Sequence, residues 1–139
     1  KRQHYLYSYV PYNDWIQQAF NFNLDQYMGW SRNMYDRLVH LAYGIFLYPL
    51  TYRVFQVWLP SVKPFSLFLL VVQFVMASSV LYELIEWAIA IGLSPEEAEN
   101  YNGQQGDMWD AHKDMLLATI GAIFYGLLAL MIPSKTNNS

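Results

Sequence analysis

The chain has no cysteine, which excludes disulfide staples and thiolate metal ligation and leaves oxygen and imidazole as the only strong metal ligands. Charge is also scarce, at 14% of 139 residues, against roughly 25% in an average soluble domain. Only eight residues are Lys or Arg, they are scattered, and the net charge is −3. Neutralising phosphates takes clustered basic residues, so a general nucleic-acid binder is excluded. No internal repeat or low-complexity tract is visible. In compensation, 55% of the residues are hydrophobic and 18% aromatic. A membrane protein is the reading that this balance favours. Mean hydropathy is barely positive because polarity is segregated into the first 35 residues and residues 94–109.

The apolar residues fall into three blocks. Residues 36–59 form a run of spanning length interrupted by Pro49 and Arg53, with Trp58 as an interfacial aromatic near its end. Residues 64–93 follow a Pro60/Pro64 break and carry Glu83, Glu86 and Trp87 near the far end. Residues 110–132 open with charges, continue uncharged from Met115 to Ile132 and stop at Pro133. Three transmembrane helices are expected. Upstream, residues 1–35 are rich in Tyr, Trp, Phe and Asn, a mixture suited to the headgroup zone, and read as one or two short interfacial helices. The expected fold is therefore all-α: a single membrane domain over 1–139, a polytopic helical bundle with three spanning helices and an N-terminal interfacial helix. Lys1-Arg2 runs directly into folded-looking sequence, so an upstream portion is expected. Arg53, Lys63 and Lys135 put the first connection and the C-terminus in the cytoplasm by the positive-inside rule, with Arg32 and Arg37 counting against it.

Alternate threading then brings three charged ends to one side of the membrane: Asp36-Arg37-x-x-His40, Glu83-x-x-Glu86 and Asp107-x-x-Asp110-x-x-x-Asp114. At about 1.5 Å per residue, Glu83 lies roughly 28 Å along its helix from Pro64, near the edge of a hydrocarbon slab about 30 Å thick. Asp107, Asp110 and Asp114 form one stripe, which continues as Ala118, Gly121 and Ala122, small residues that let neighbouring helices approach. On the second helix Glu83 and Glu86 stack above Ser79, and on the first Asp36 and His40 stand one turn apart above Gly44.

Six carboxylates in one layer cannot all stay ionised without cations, whether supplied by Arg32, Arg37 and Lys113, by protons or by a metal. Carboxylates on facing helices with an imidazole nearby are the ligand supply of bundle metal sites and favour Mg, Mn, Fe or Zn over soft metals. The candidate metal ligands are Glu83, Glu86, Asp107, Asp110, Asp114 and His40. His40 is also a candidate general base, and Glu86 a candidate catalytic carboxylate. Arg37 is a candidate anion contact or support. A bland alternative competes: Asp36/Arg37 and Asp110/Lys113 as an ion-pair network that pins helix ends, with Asp107 and Asp110 capping their helix. Glu83 and Glu86 resist it because further apolar residues follow them. His112 falls off the Asp stripe and reads as a surface residue, while His4 could fold over the site.

The stretches HYLYSYVP, SRNMYDRLVHLAYG, ASSVLYELIEW and QQGDMWDAHKDMLLATIGA, in this order and spacing, resemble the YjdF-like bacterial inner-membrane proteins, a domain of unknown function. The resemblance runs from about Gln3 to Ala122. It implies a multi-pass protein of the bacterial inner (cytoplasmic) membrane, with additional membrane helices before the His-Tyr motif, and it supplies no activity.

The leading expectation is a helical-bundle membrane protein with an acidic, metal-binding site at one membrane face. The site would act as a metal-dependent enzyme on a lipid-linked or phosphorylated substrate. A cation or proton transporter or channel subunit and a structural membrane subunit are the alternatives. The expected partners are the lipid bilayer and such a substrate, together with a second copy of the chain or the missing N-terminal helices.

Overall fold

The computed structural model describes residues 10–132, apart from the side chains of Glu96, Glu99 and Asn100. Six helices follow one another: α1 (Tyr12–Phe20), α2 (Leu24–Met28), α3 (Tyr35–Trp58), α4 (Pro64–Ile91), α5 (Pro95–Asn102) and α6 (Asp110–Met131). No strand occurs among the described residues. The long helices coincide with the three apolar blocks to within one or two residues, the usual fraying of helix ends.

Sequence dictates several of the boundaries. Pro64 occupies the first turn of α4, where its missing N–H costs nothing. Ser94 and Glu97 form a capping box at α5: the Ser94 Oγ accepts from the Glu97 amide at 3.4 Å, and Glu97 Oε2 accepts from the Ser94 amide at 3.1 Å. The loop from α5 to α6 contains Gly103, Gln105 and Gly106, all with positive φ. This left-handed run folds the loop back onto the start of α3. There Gln105 accepts from the Asn33 amide at 2.9 Å and donates to the Asn33 carbonyl at 3.1 Å.

The long helices α3, α4 and α6 pack around one core, with α3 most extensively against α6. Val71, Val75, Ala118 and Ala122 are completely buried there, together with Tyr48. The approach of α3 to α6 depends on glycine. A Cβ at Gly44 would run into the Ala118 carbonyl, and one at Gly121 into the Leu41 carbonyl. Small residues at both positions let the two backbones touch.

Two helices, α4 and α6, are long and apolar enough to cross a membrane; α3 is not among them. The expectation of three spans is corrected to two on this measure. With 24 residues, α3 is about 36 Å long, so length is not what it lacks. Its interior carries Tyr43, Tyr48, Pro49, Thr51, Tyr52 and Arg53 where α4 carries Leu, Val and Phe. The α5 helix, within the connection read from sequence as loop, is a further addition.

Residues 10–35 contain two short helices, where one or two were expected over residues 1–35. The Tyr12 hydroxyl donates to Asp25 Oδ1 at 2.6 Å and accepts from the Met34 amide at 3.2 Å, tying α1 through α2 to the start of α3. Burial, and then the bond to Asp25, push the Tyr12 hydroxyl up to about 12.

Candidate functional site

The three acidic groups meet at one end of the bundle. Asp36 and His40 come from the first two turns of α3, Glu83 and Glu86 from the last third of α4, and Asp110 and Asp114 from the first turns of α6. Asp36, His40, Glu86, Asp110 and Asp114 are buried, and Glu83 is half-buried.

Two sub-sites with different chemistry share this layer. In the first, two guanidinium groups are saturated by carboxylates. Arg37 donates to Asp114 Oδ1 at 2.5 Å, Asp110 Oδ1 at 2.6 Å, Asp107 Oδ2 at 3.1 Å and the Asp110 carbonyl at 3.0 Å. Arg32 pairs with Asp36, reaches Asp110 Oδ1 at 2.7 Å and Asp107 Oδ2 at 3.5 Å, and donates to the Gln104 carbonyl at 3.2 Å. Lys113 adds a bond of 2.6 Å to Asp107 and thereby holds the Asp107 carboxyl below the usual carboxylate range. Four carboxylates face three basic groups here, which leaves one negative charge in excess. Buried charges persist only when paired and hydrogen-bonded in this way.

The second sub-site adjoins the first through Asp114. His40, Glu83 and Asp114 each offer one ligand atom, and these atoms all lie within 4.8 Å of one another. The His40 Nε2 stands 3.7 Å from Asp114 Oδ2, longer than a direct hydrogen bond. The Glu83 Oε1 is buried with no hydrogen-bond partner. Each of the three side chains comes from a different helix. Asp36, Asp110 and Asp114 make a second close set, but the arginines already occupy its oxygens.

Glu86 is buried one turn beyond Glu83 and lines a cavity of about 260 Å³ between α4, α5 and α6, together with Glu83, Asn102 and Asp110. A smaller cavity of about 130 Å³ opens on the other side, between His40, Tyr43, Ser79 and Tyr82. The site is thus flanked by space on two sides.

Of the six ligand candidates read from sequence, His40, Glu83 and Asp114 converge on one point. Asp107 and Asp110 belong to the arginine network, and Glu86 faces the larger cavity. Arg37 is fully engaged with carboxylates. His112 is exposed, with its ring edge-on to Trp109, and His4 lies outside the described residues. Asn102, Gln104 and Gln105 were not singled out in the sequence. Their one signal is the Gly-Gln-Gln-Gly stretch at 103–106, whose turn glycines mark a loop that must bend sharply.

Two helices long and apolar enough to span, with ionisable side chains gathered at one end of the bundle, are features an integral membrane protein presents. Residues 3–135 match the family described as Predicted membrane protein (DUF2238), and the chain belongs to that family. It is 34% identical over 120 residues to the inner membrane protein YjdF of Escherichia coli (strain K12), a match that covers 86% of this chain. The chain spans about half the length of that relative, 53% of which is matched. No solved structure matches.

Proposed function

We propose that this protein is a multi-pass component of the bacterial inner membrane that holds a divalent cation between His40, Glu83 and Asp114, at the membrane face where its charged helix ends gather. One observation carries the reading: a nitrogen and two carboxylate oxygens, one from each of three helices, lie within 4.8 Å of one another. Ligands about 2.1 Å from a common ion stand roughly 3 to 3.5 Å apart. The present spacing closes on such an ion with small side-chain movements. The Glu83 oxygen that no protein donor reaches is the acceptor an ion would satisfy. An O/N donor set suits Mg, Mn, Fe or Zn.

On this reading Arg32, Arg37 and Lys113 neutralise Asp36, Asp107 and Asp110, and Arg37 orients the ligand Asp114 through Oδ1, which leaves Oδ2 turned toward His40. A cation with one open position would supply a Lewis acid beside the cavity at Glu86, so hydrolysis or group transfer on a membrane-borne substrate is the activity class this arrangement fits. The transporter reading is less well supported. Below His40 the buried positions include Gly44, Val75, Ala118 and Ala122 with the hydroxyls of Tyr48, Thr51 and Ser79, and among the described residues no buried carboxylate or imidazole continues a path for an ion. For α3 we propose a third crossing, since Phe46, Leu50 and Val57 expose an apolar face along it.

The test is elemental analysis of protein purified without chelator and then loaded with Mg, Mn, Fe or Zn. The expected result is about one ion per chain, lost in His40→Asn and in Glu83→Gln while both variants keep wild-type helicity. Wild-type protein that retains none of the four metals and shows no thermal shift on their addition would overturn the proposal.

A further inference from the structure

The two short helices α1 and α2 stand over the bundle without closing onto it. Neither packs on α3, α4 or α6 as those three pack on one another. Their ties are hydrogen bonds at the entry to α3, where the Met34 amide donates to the Tyr12 hydroxyl and the Asn33 side-chain amide donates to the Val10 carbonyl at 2.8 Å. Between them and the bundle lies a cavity of about 350 Å³, larger than either cavity beside the acids. Ile16 of α1 and Leu24 of α2 form one wall, and Leu38 and Leu41 of α3 with Leu117 of α6 form the other. The lining is almost wholly apolar. Its one charged residue, Arg37, is engaged by Asp110 and Asp114, and the Tyr12 hydroxyl donates to Asp25, so neither offers a polar ligand a free donor. Folded interiors hold few voids larger than a water, and an apolar cavity of about 150 Å³ already takes up benzene. This one has room for more.

The opening decides the occupant. Leu38, 58% exposed, is the one exposed residue of the wall, so the mouth lies there. Further along α3 come the exposed Phe46 and Leu50, and Leu117 lies in the uncharged stretch of α6 that begins at Met115. The cavity is therefore continuous with the apolar surface that a membrane protein turns to lipid, near the charged layer and at the depth where hydrocarbon begins. We infer that it seats one acyl chain of a bilayer phospholipid, which fills the space between α1, α2 and the α3–α6 pair. Within lipid the driving force is close packing and not escape from water, because a chain in the cavity replaces void with contact. The rings of Trp15 and Tyr27, exposed on α1 and α2, suit the headgroup zone above it. A partner helix, about 10 Å across with its side chains, would have to displace α1 and α2 to reach Leu41 and Leu117. The inference is independent of the metal reading, since His40, Glu83 and Asp114 line no part of this cavity.

The test titrates the full chain, in a steroid-based detergent that has no linear alkyl tail, with dibromostearoyl phosphatidylcholine, whose bromines quench a tryptophan they touch. Two variants each keep a single tryptophan, either Trp30 in the cavity wall or Trp87 on the exposed surface of α4, with the others replaced by Phe. Quenching of Trp30 is expected to saturate at about one lipid per chain, at a lipid concentration at least about tenfold below that needed for Trp87, the worth of filling roughly 60 Å³ of void. Ile16→Phe/Leu24→Phe, which fills the cavity from α1 and α2 and leaves the long helices untouched, should remove that advantage. His40→Asn should not change it. Native mass spectrometry of the chain with all its tryptophans gives a second reading: the most tenaciously held phospholipid should be lost in Ile16→Phe/Leu24→Phe and kept in Phe46→Ala, on the open face of α3. Equal quenching of Trp30 and Trp87, or phospholipid retention unchanged in the filled variant, would overturn the inference. A fall from dimer to monomer in the filled variant would overturn it too, by giving the cavity to a second copy of the chain.

Discussion

On one side of the charged layer Arg32 and Arg37 meet Asp36, Asp107, Asp110 and Asp114, and both terminal nitrogens of each guanidinium have a carboxylate against them. On the other side Glu83 keeps a buried oxygen with no donor, and His40 approaches Asp114 without bonding to it directly. Asp114 belongs to both sides: one oxygen is held by Arg37, and the other is turned toward His40. The same residue types, at the same depth, therefore do two things. The saturated side holds α3 against α6, and the unsaturated side has capacity left for something outside the protein. Carboxylates alone do not mark a site; carboxylates left over after pairing do.

That contrast is open to direct attack. The largest effect is expected from Arg37→Met, which leaves Asp110 and Asp114 buried with most of their compensation gone. A loss of about 3–5 kcal/mol is expected, read as failure to accumulate or as a large drop in melting temperature. Glu83→Gln should cost little stability by comparison. If the two variants melt alike, the division into a structural and a receptive half is wrong. Gly44→Val comes next, because its side chain would have to displace the Ala118 backbone. Overpacking of this kind costs about 1–3 kcal/mol, and it should open the α3–α6 contact and with it both halves of the layer. The smallest effect belongs to the exposed edge, at Asp107. Its carboxyl is held below the usual range, chiefly by Lys113, so its contribution is complete above the ordinary carboxylate pKa of about 3.9 and is lost as pH falls below it. The stability gap between wild type and Asp107→Asn should be constant near neutrality and shrink at acid pH. A gap that grows on acidification would contradict the pairing.

Much of this was legible in the sequence because bilayer thickness and helical rise fix where a long helix ends. The limits of α3, α4 and α6 followed from Pro60, Pro64, Pro133 and the charges beside them, and alternate threading brought the acidic ends together. The division of labour among the acids was not legible. Spacing puts Asp110 and Asp114 on one stripe, but whether an arginine or an open cavity faces each of them depends on how far α3 is rotated about its own axis. That rotation is set by Gly44 and Gly121 at the contact with α6. The α5 helix was hidden because its acidic, short sequence carries no apolar periodicity, although Ser94-Pro95-x-Glu97 is a helix-start signature. What separates α3 from the two apolar spans is its Tyr and Thr content, which dilutes its hydropathy below that of α4 and α6.

The clasp between Gln105 and Asn33 has a consequence for how the chain is made. It joins residues 72 positions apart, and the Arg37 contacts to the acids of α6 span 70 positions or more. While α3 and α4 leave the ribosome, Asp36 is the one acid of the network already made, and its ion pair is with Arg32. The least apolar of the long helices thus comes first, and its counter-charges come last. Stable seating of α3 must wait for the start of α6, which makes α6 the latch for α3.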